Sequence, residues 1–224
     1  MTTNSSLGAS GPIAIAIDGP AAAGKGTLAR RLAAAYGLAF LDTGALYRGI
    51  AWLILEAGRD PADSIFAATI ANGFDLAAID GADIRTRAVG AAASVVAVNP
   101  DVRAALLSFQ RRFASHPPAG ARGAVLDGRD IGTIVCPDAP LKLFVTASPE
   151  ARARRRWLEL VIRNPALNEG QVLADIKERD ARDRSRESAP LEQAPDAHLI
   201  DTTHLSIDAA FAAAQALVDP LFAG

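Results

Sequence analysis

Residues 19–27 read Gly-Pro-Ala-Ala-Ala-Gly-Lys-Gly-Thr and form the glycine-rich stretch that decides the fold. They follow a short apolar run, Ile13 to Ile17, and precede an Ala/Leu/Arg-rich stretch with helical character. The Gly-x4-Gly-Lys spacing is typical of a phosphate-binding loop, because glycines let the backbone turn so that successive N–H groups point at one anion. The following helix adds the positive end of its dipole. We therefore expect a strand, a phosphate-binding loop and a helix, in that order.

Two residues set the chemistry of this loop. Lys25 supplies a full positive charge for the outer phosphates of a nucleotide. In the commonest form of the motif Ser or Thr directly follows the lysine, whereas here Gly26 intervenes before Thr27. This ending resembles the Gly-Lys-Gly-Thr variant of nucleoside monophosphate kinases. The alternative is a plain Gly/Ala-rich turn, which the strand before it and the helix after it disfavour.

The composition restricts the class of protein. With 224 residues, half of them hydrophobic, the chain can bury one good core and carry an inserted subdomain. A net charge of -2 argues against broad electrostatic capture of nucleic acid or of a membrane surface. The only cysteine, Cys136, allows no intrachain disulfide, and we expect it to be a small buried hydrophobe. Residues 1–11 are predicted to be a flexible tail without a signal sequence. We expect a cytoplasmic monomer with neither nucleic-acid nor membrane partners.

Apolar segments alternate with helical ones, which predicts an α/β fold with a five-stranded parallel sheet flanked by helices. Ligands of such a sheet gather at the carboxyl ends of its strands. Helices are predicted over residues 28–36, 45–57, 61–71, 84–98, 100–115, 149–163, 168–186 and 206–222. The predicted strands are Ile13–Ile17, Leu38–Leu41, Ala124–Leu126, Leu141–Thr146 and Ala197–Ile200.

Residues 59–120 interrupt this alternation and are predicted to be a mostly helical insertion, mounted on a core of residues 12–58 and 121–224. Asn99-Pro100-Asp101 has the pattern of a helix start, with a cap, a proline and an acid in the first turn. Residues 74–83 are poorly defined and could contain a strand. The pair of helices over 149–186, broken at Asn164-Pro165, predicts a helical flap.

Three charged segments follow predicted strands. Asp42 to Arg48 comes after the second strand, where a helix cap and a surface arginine are the alternative to a ligand contact. Asp127-Gly128-Arg129-Asp130 comes after the third strand, where the alternative is a loop salt bridge. Four arginines, at positions 152, 154, 155 and 156, oppose the dipole at the start of one helix, and an anionic ligand would resolve that conflict. The alternative is a solvated basic face.

Arg179, Asp183 and Arg186 form one stripe on a predicted helix, which suits a phosphorylated sugar. The other charges of this helix pair as Glu178–Arg182 and Asp180–Arg184 and predict a solvated face. The three histidines are isolated, and the sequence contains no Cys/His spacing for zinc and no Gly-x-Ser-x-Gly. We therefore expect no metal site made of protein ligands alone and no serine hydrolase.

Four motifs, in order, resemble those of the bacterial cytidylate kinase family: residues 17–27, 42–48, 127–133 and 176–186. The resemblance implies a P-loop kinase fold with a nucleoside-monophosphate-binding insertion at about 59–120 and a small lid at about 150–170. It also implies transfer of the γ-phosphoryl group of ATP to CMP or dCMP with Mg²⁺. Residues 74–83 depart from the family, because they leave little room for the small β-hairpin often found there.

The resemblance assigns site residues in three groups. Lys25, Arg129 and Arg155 would be catalytic. ATP would contact Gly19, Pro20, Ala21, Ala22, Ala23, Gly24, Lys25, Gly26 and Thr27, together with Arg152, Arg155 and Arg156 of the lid. The acceptor nucleotide would contact Thr43, Arg48, Ser94, Arg103, Arg129, Asp130, Arg179, Asp183 and Arg186.

Two other functions remain open at this point. One is a P-loop kinase of another small acceptor, such as UMP or a shikimate-like metabolite. The other is a nucleotide-binding module without turnover. An Asp beside an Arg matches the amino group and the acceptors of cytosine, and the same carboxylate would repel the uracil carbonyl oxygen. This chemistry favours the cytidylate kinase hypothesis.

Overall fold

The computed structural model describes residues 11–118 and 120–223, so the tail predicted for residues 1–11 lies, apart from Gly11, outside the described residues. Five parallel strands form one sheet in the order β2-β3-β1-β4-β5, and the predicted sheet is thereby confirmed. The strands are β1 (Ile13–Asp18), β2 (Ala39–Asp42), β3 (Gly123–Gly128), β4 (Leu141–Thr146) and β5 (His198–Asp201).

Eight α-helices occur in the described residues, and all eight were predicted with small shifts at their ends. They are α1 (Lys25–Tyr36), α2 (Thr43–Glu56), α3 (Ser64–Asn72), α4 (Arg87–Val96), α5 (Pro100–Ser115), α6 (Pro149–Val161), α7 (Glu169–Arg184) and α8 (Ile207–Phe222). The predicted cap of α5 is confirmed, because Asn99 Oδ1 accepts a hydrogen bond from the Asp101 amide at 2.9 Å. None of the described helices is long and apolar enough to span a bilayer.

Three local details differ from the sequence prediction. The helix expected from residue 84 begins at Arg87, because the Thr86 hydroxyl caps it by accepting from the Val89 amide at 3.2 Å. The helix expected to reach residue 186 ends at Arg184. The loop expected over residues 127–132 includes a short π-helical turn, Ile131–Val135.

The sheet separates two apolar layers. In β1, Ile15 and Ile17 belong to the cluster that contains side chains of α1 and α8, while Ala16 belongs to the cluster that contains Ala114 of α5 and the π-helical turn. This alternation is the period of two that a strand imposes on its side chains. Cys136 packs, partly buried, against the second cluster, and burial raises the pKa of its thiol to about 11.

The segment between α2 and β3 contains α3, α4 and α5, and within its described part no strand is present. Residues 74–83 contain a short 3-10 helix, Leu76–Ile79, which Asp75 caps through a 3.1 Å bond from the Ala77 amide. This segment has its own apolar cluster, in which Leu46, Ile50 and Ile54 of α2 meet α3, α4 and α5. Its role as the acceptor-binding insertion stays a prediction at this stage.

Gly19, directly after β1, lies tightly against the backbone of β4. Its φ is +141°, and a Cβ added there would lie 1.9 Å from the carbonyl oxygen of Val145. Both the left-handed backbone region and the lack of space therefore require glycine.

We expect Gly19→Ala to lower the free energy of unfolding by about 3 kcal/mol or more, because it adds a steric clash to backbone strain. Gly37→Ala is the matched control, since Gly37 has φ +65° but open space around its Cβ position. That substitution carries strain alone, about 1 kcal/mol. Urea unfolding of both variants measures the difference, and equal losses would contradict the clash.

Candidate active site

The phosphate-binding loop lies between β1 and α1, at the carboxyl end of the sheet. Its turn uses left-handed conformations at Ala22 (φ 59°) and Gly24 (φ 90°). Lys25 is buried, donates to the Pro20 carbonyl at 2.9 Å and lies 3.7 Å from Asp127 Oδ1. Burial, and secondarily the nearby Arg129, lower the pKa of Lys25 to about 8, whereas Asp127 opposes this shift.

Three arginines lie around the carboxylate of Asp183 in α7. Arg129 Nε donates to Asp183 Oδ2 at 3.0 Å, the Arg186 guanidinium is bonded to Asp183 Oδ1, and Arg179 Nε lies 4.0 Å from Oδ2. The Asp183 side chain is only 1% exposed. Burial opposes its charge, yet Arg129, Arg186 and Arg179 together hold the pKa of Asp183 below its ordinary value. Three guanidinium groups facing one carboxylate leave two positive charges unmatched within this cluster, and such a surplus favours an anion.

A second buried ion pair lies next to this cluster. The Arg103 guanidinium of α5 is bonded to Asp130 Oδ2, and its carbon lies 5.9 Å from the ring centroid of Tyr47. Burial raises the pKa of Asp130, while Arg103 and Arg186 pull it down. The structure therefore brings together Arg103, Asp130 and Arg186, which the resemblance assigns to the acceptor nucleotide.

The start of α2 contributes a third group of polar contacts to this region. Asp42 Oδ1 accepts from the Ala45 amide at 3.0 Å, and its Oδ2 accepts from Arg48 at 2.8 Å, so the predicted cap is carried by Asp42. Thr43 donates its hydroxyl to the Asp127 carbonyl at 2.7 Å and ties the end of β2 to that of β3. Arg48 is 18% exposed and bonds to Asp42 through one terminal nitrogen.

Several buried polar atoms in this region have no hydrogen-bond partner within the described part of the chain. Such groups are costly to bury unless something else satisfies them. The hydroxyl of Ser94, which is 2% exposed, is one of them. The others in the site are the Nε atoms of Arg48, Arg179 and Arg186. A polar ligand between α2, α4 and α7 would satisfy them.

The arginines at the start of α6 have protein partners, which corrects the interpretation that they need an anion. Arg152 is 2% exposed and bidentate to Asp180, at 3.0 and 2.6 Å. It also donates to the carbonyls of Ala147 and Ala21, at 2.9 and 3.3 Å, and so holds the phosphate-binding loop. An open cavity of about 470 Å³ adjoins it at the ends of β4 and β5.

The other arginines of α6 are engaged as well. Arg155 donates to the hydroxyl and the carbonyl of Thr202, at 3.0 and 2.5 Å. Arg156 bonds to Glu159 and to the Arg85 carbonyl, and Arg154 bonds to Glu169. Contact of residues 152, 155 and 156 with ATP therefore stays a prediction.

Sequence reasoning missed three residues that organise the site. Asp180 was assigned to a solvated face with Arg184, but it is buried and forms an ion pair with Arg152. Thr202 bonds to the Ala23 and Thr146 carbonyls, at 2.9 and 3.0 Å, and carries no sequence signal. Asp18, the last residue of β1, is buried at the junction of the two loops. Its position directly before Gly19 was the one available signal.

A family model described as cytidylate kinase matches residues 15–219. The chain belongs to the cytidylate kinase family. It is 53% identical to a cytidylate kinase of Rhodopseudomonas palustris over 210 residues, which cover 94% of this chain and 97% of the relative. A cytidylate kinase of Caulobacter vibrioides is 54% identical, with 92% of this chain and 94% of the relative covered. One of Brucella suis is 53% identical, with 93% of each chain covered.

A solved structure of an uncharacterized protein from Eubacterium ventriosum has the same fold. Its TM-score is 0.54 at 14% identity, covering 92% of this chain and 98% of that one. At this identity the likeness concerns the arrangement of strands and helices alone.

We expect kcat/KM for ATP to fall as pH rises through about 8, because the free enzyme's Lys25 is charged below its pKa and neutral above it. The profile of kcat should break at a higher pH, since a bound phosphate stabilises the charged form. Initial rates across the alkaline range test this. A kcat/KM that stays constant from about pH 7 to about pH 10 would contradict the lowered pKa.

Proposed function

We propose that the protein is an ATP-dependent cytidylate kinase, which transfers the γ-phosphoryl group of ATP to CMP or dCMP and releases ADP with CDP or dCDP. The observation that carries this proposal is the cluster of Arg129, Arg179 and Arg186 around the single buried carboxylate of Asp183. The charge of Arg129 acts on Lys25 of the phosphate-binding loop, which supports two neighbouring anion sites, one for each nucleotide.

The acceptor phosphate is assigned to Arg48, Arg129 and Arg179. Arg48 and Arg179 each have a buried Nε without a partner in the described residues, and Arg129 uses its Nε on Asp183 and one terminal nitrogen on the Gly128 carbonyl. Guanidinium groups suit this task because their planar donors match phosphate oxygens. The orphan hydroxyl of Ser94, with Arg179 and Asp183, supports contact with the sugar.

The base is assigned to Thr43, Arg103, Asp130 and Arg186. The Asp130 carboxylate would accept from the cytosine amino group, while the arginines would donate to its N3 and O2. Uracil would bring a carbonyl oxygen against that carboxylate, which is repulsive. The pairing of Arg103 with Asp130 supports this assignment, because it holds the carboxylate in place and favours its charge.

The donor is assigned to residues 19–27, with Arg152, Arg155 and Arg156. The loop amides and Lys25 would bind the phosphates of ATP. An acceptor phosphate is already ionised near neutral pH, so the transfer requires no general base. Lys25, Arg129 and Arg155 act by aligning the two phosphates and by neutralising the charge that develops between them. Closing of the lid would exclude water.

The residues present fit a magnesium ion held largely by phosphates and water, which is the usual mode for Mg²⁺ in kinases. The Asp127 carboxylate lies beside the loop, because a Cβ added at Gly26 would be 3.2 Å from Asp127 Oδ2. Its other oxygen, Oδ1, is 3.7 Å from Lys25 Nζ. Asp127 and the Thr27 hydroxyl would hold the ion. When bound, it would supply further neutralisation of phosphate charge.

We further propose that the enzyme acts as a monomer in the cytoplasm, on small-molecule substrates, without nucleic-acid or membrane partners. The modest net charge of -2 supports the part of this proposal that concerns nucleic-acid and membrane partners.

An acceptor panel tests the proposed function. We expect ADP formation from ATP to depend strongly on CMP or dCMP and weakly on UMP or AMP. Asp130→Asn replaces the acceptor oxygen by a group that can donate to uracil, so the preference for CMP over UMP should fall by roughly tenfold or more. Equal wild-type rates with UMP and CMP would contradict the base assignment. Turnover with an unrelated acceptor would favour a kinase of another metabolite, and ATP binding without turnover would favour a nucleotide-binding module. Either result would contradict the proposal.

Arg129 provides a second test. We expect Arg129→Ala to lower kcat by about 100-fold to 1,000-fold, the range for loss of a group that stabilises transition-state charge. Arg112→Ala, at an exposed arginine of α5, is the matched control and should change kcat by less than about twofold. Circular dichroism checks that both variants fold. Near-normal turnover of a folded Arg129→Ala would refute the role of Arg129.

A further inference from the structure

Asp18 is a buried carboxylate whose two oxygens are used by another part of the chain. Its Oδ1 accepts from the Ile131 amide at 2.8 Å, and its Oδ2 accepts from the Gly132 amide at 2.7 Å. Asp18 is 5% exposed. Burial raises its pKa to about 7, and the two amide bonds oppose that rise.

The two amides belong to the start of the π-helical turn, directly after Arg129 and Asp130. Asp18 itself directly precedes Gly19, the first residue of the phosphate-binding loop. In the sheet Asp18 is the register partner of Gly128. The Asp18 side chain therefore connects the start of the phosphate-binding loop with the backbone directly after Arg129 and Asp130, the two residues assigned to the acceptor phosphate and base.

The backbone that Asp18 holds has little room to move. A Cβ on Gly132 would lie 3.3 Å from Asp18 Oδ2, and a Cβ on Gly128 would lie 2.6 Å from the Ile131 side chain. The backbone of residues 128–132 is thus packed tightly and anchored on both amides. Since Arg129 and Asp130 extend from this backbone, its placement sets where their side chains begin.

We propose that Asp18 is a positioning residue, which fixes Arg129 and Asp130 relative to the phosphate-binding loop by holding the amides of Ile131 and Gly132. This inference rests on the proposed function for the identity of the acceptor. The last residue of β1 would then help to align the acceptor and to select its base, in addition to leading into the phosphate-binding loop.

The isosteric variant Asp18→Asn separates positioning from simple packing. An asparagine amide keeps the shape but has one acceptor oxygen, so one of the two backbone amides would face an NH₂ group. We expect KM for CMP to rise about tenfold and the CMP-to-UMP preference to fall about tenfold, while KM for ATP changes less than about threefold. Asp208→Asn, at an exposed carboxylate in the first turn of α8, is the matched control, and it should leave both KM values and the CMP-to-UMP preference unchanged.

If Asp18→Asn does not fold, Asp18→Glu gives the same test, because it keeps both oxygens and the charge but pushes the turn away by one methylene. The same selective loss on the acceptor side is expected. Equal changes of both KM values, or a lower melting temperature with an unchanged CMP-to-UMP preference, would overturn the proposal. Wild-type enzyme that prefers another acceptor would refute the proposed function instead, and the ratio of acceptor to donor KM changes would still test Asp18.

Discussion

The proposed acceptor side of this protein depends on one buried carboxylate, which offsets part of the positive charge of the three arginines around it. Asp183 is bonded to Arg129 and Arg186 and lies 4.0 Å from Arg179. Without it, three guanidinium groups would repel one another in a region where burial already disfavours charge. With it, they converge and retain a net positive charge. Burial, and secondarily Arg129, lower the pKa of Arg179 to about 9, and Asp183 opposes this shift.

The donor side is built differently, because its main arginine is fully paired. Arg152 meets Asp180 with two nitrogens and the Ala21 carbonyl with one, so it supports the loop without adding free charge. The start of α4 also reaches α7, because Arg87 is bidentate to Asp175, at 2.6 and 2.8 Å. This ion pair is exposed and therefore contributes little to stability.

Sequence patterns were sufficient for the sheet, the eight helices and the phosphate-binding loop, because hydrophobic periodicity and glycine spacing act locally. The 3-10 helix at Leu76–Ile79 and the π-helical turn at Ile131–Val135 could not be predicted, since packing against other elements decides them. In the site, spacing alone indicated the stripe of Arg179, Asp183 and Arg186, and the family resemblance grouped Arg103 with Asp130. The partner of Arg152 was not predicted, because Asp180 lies 28 positions away and looked equally able to pair within its own helix.

The comparison of CMP with cytidine by titration calorimetry tests the central claim most directly, because the two ligands differ only in the phosphate that the Asp183 cluster is assigned to bind. The account predicts that CMP binds about 100-fold or more tightly than cytidine, as expected for charge-assisted hydrogen bonds from two arginines. It also predicts that raising the salt concentration weakens CMP binding more than cytidine binding. Equal affinities for CMP and cytidine would contradict it.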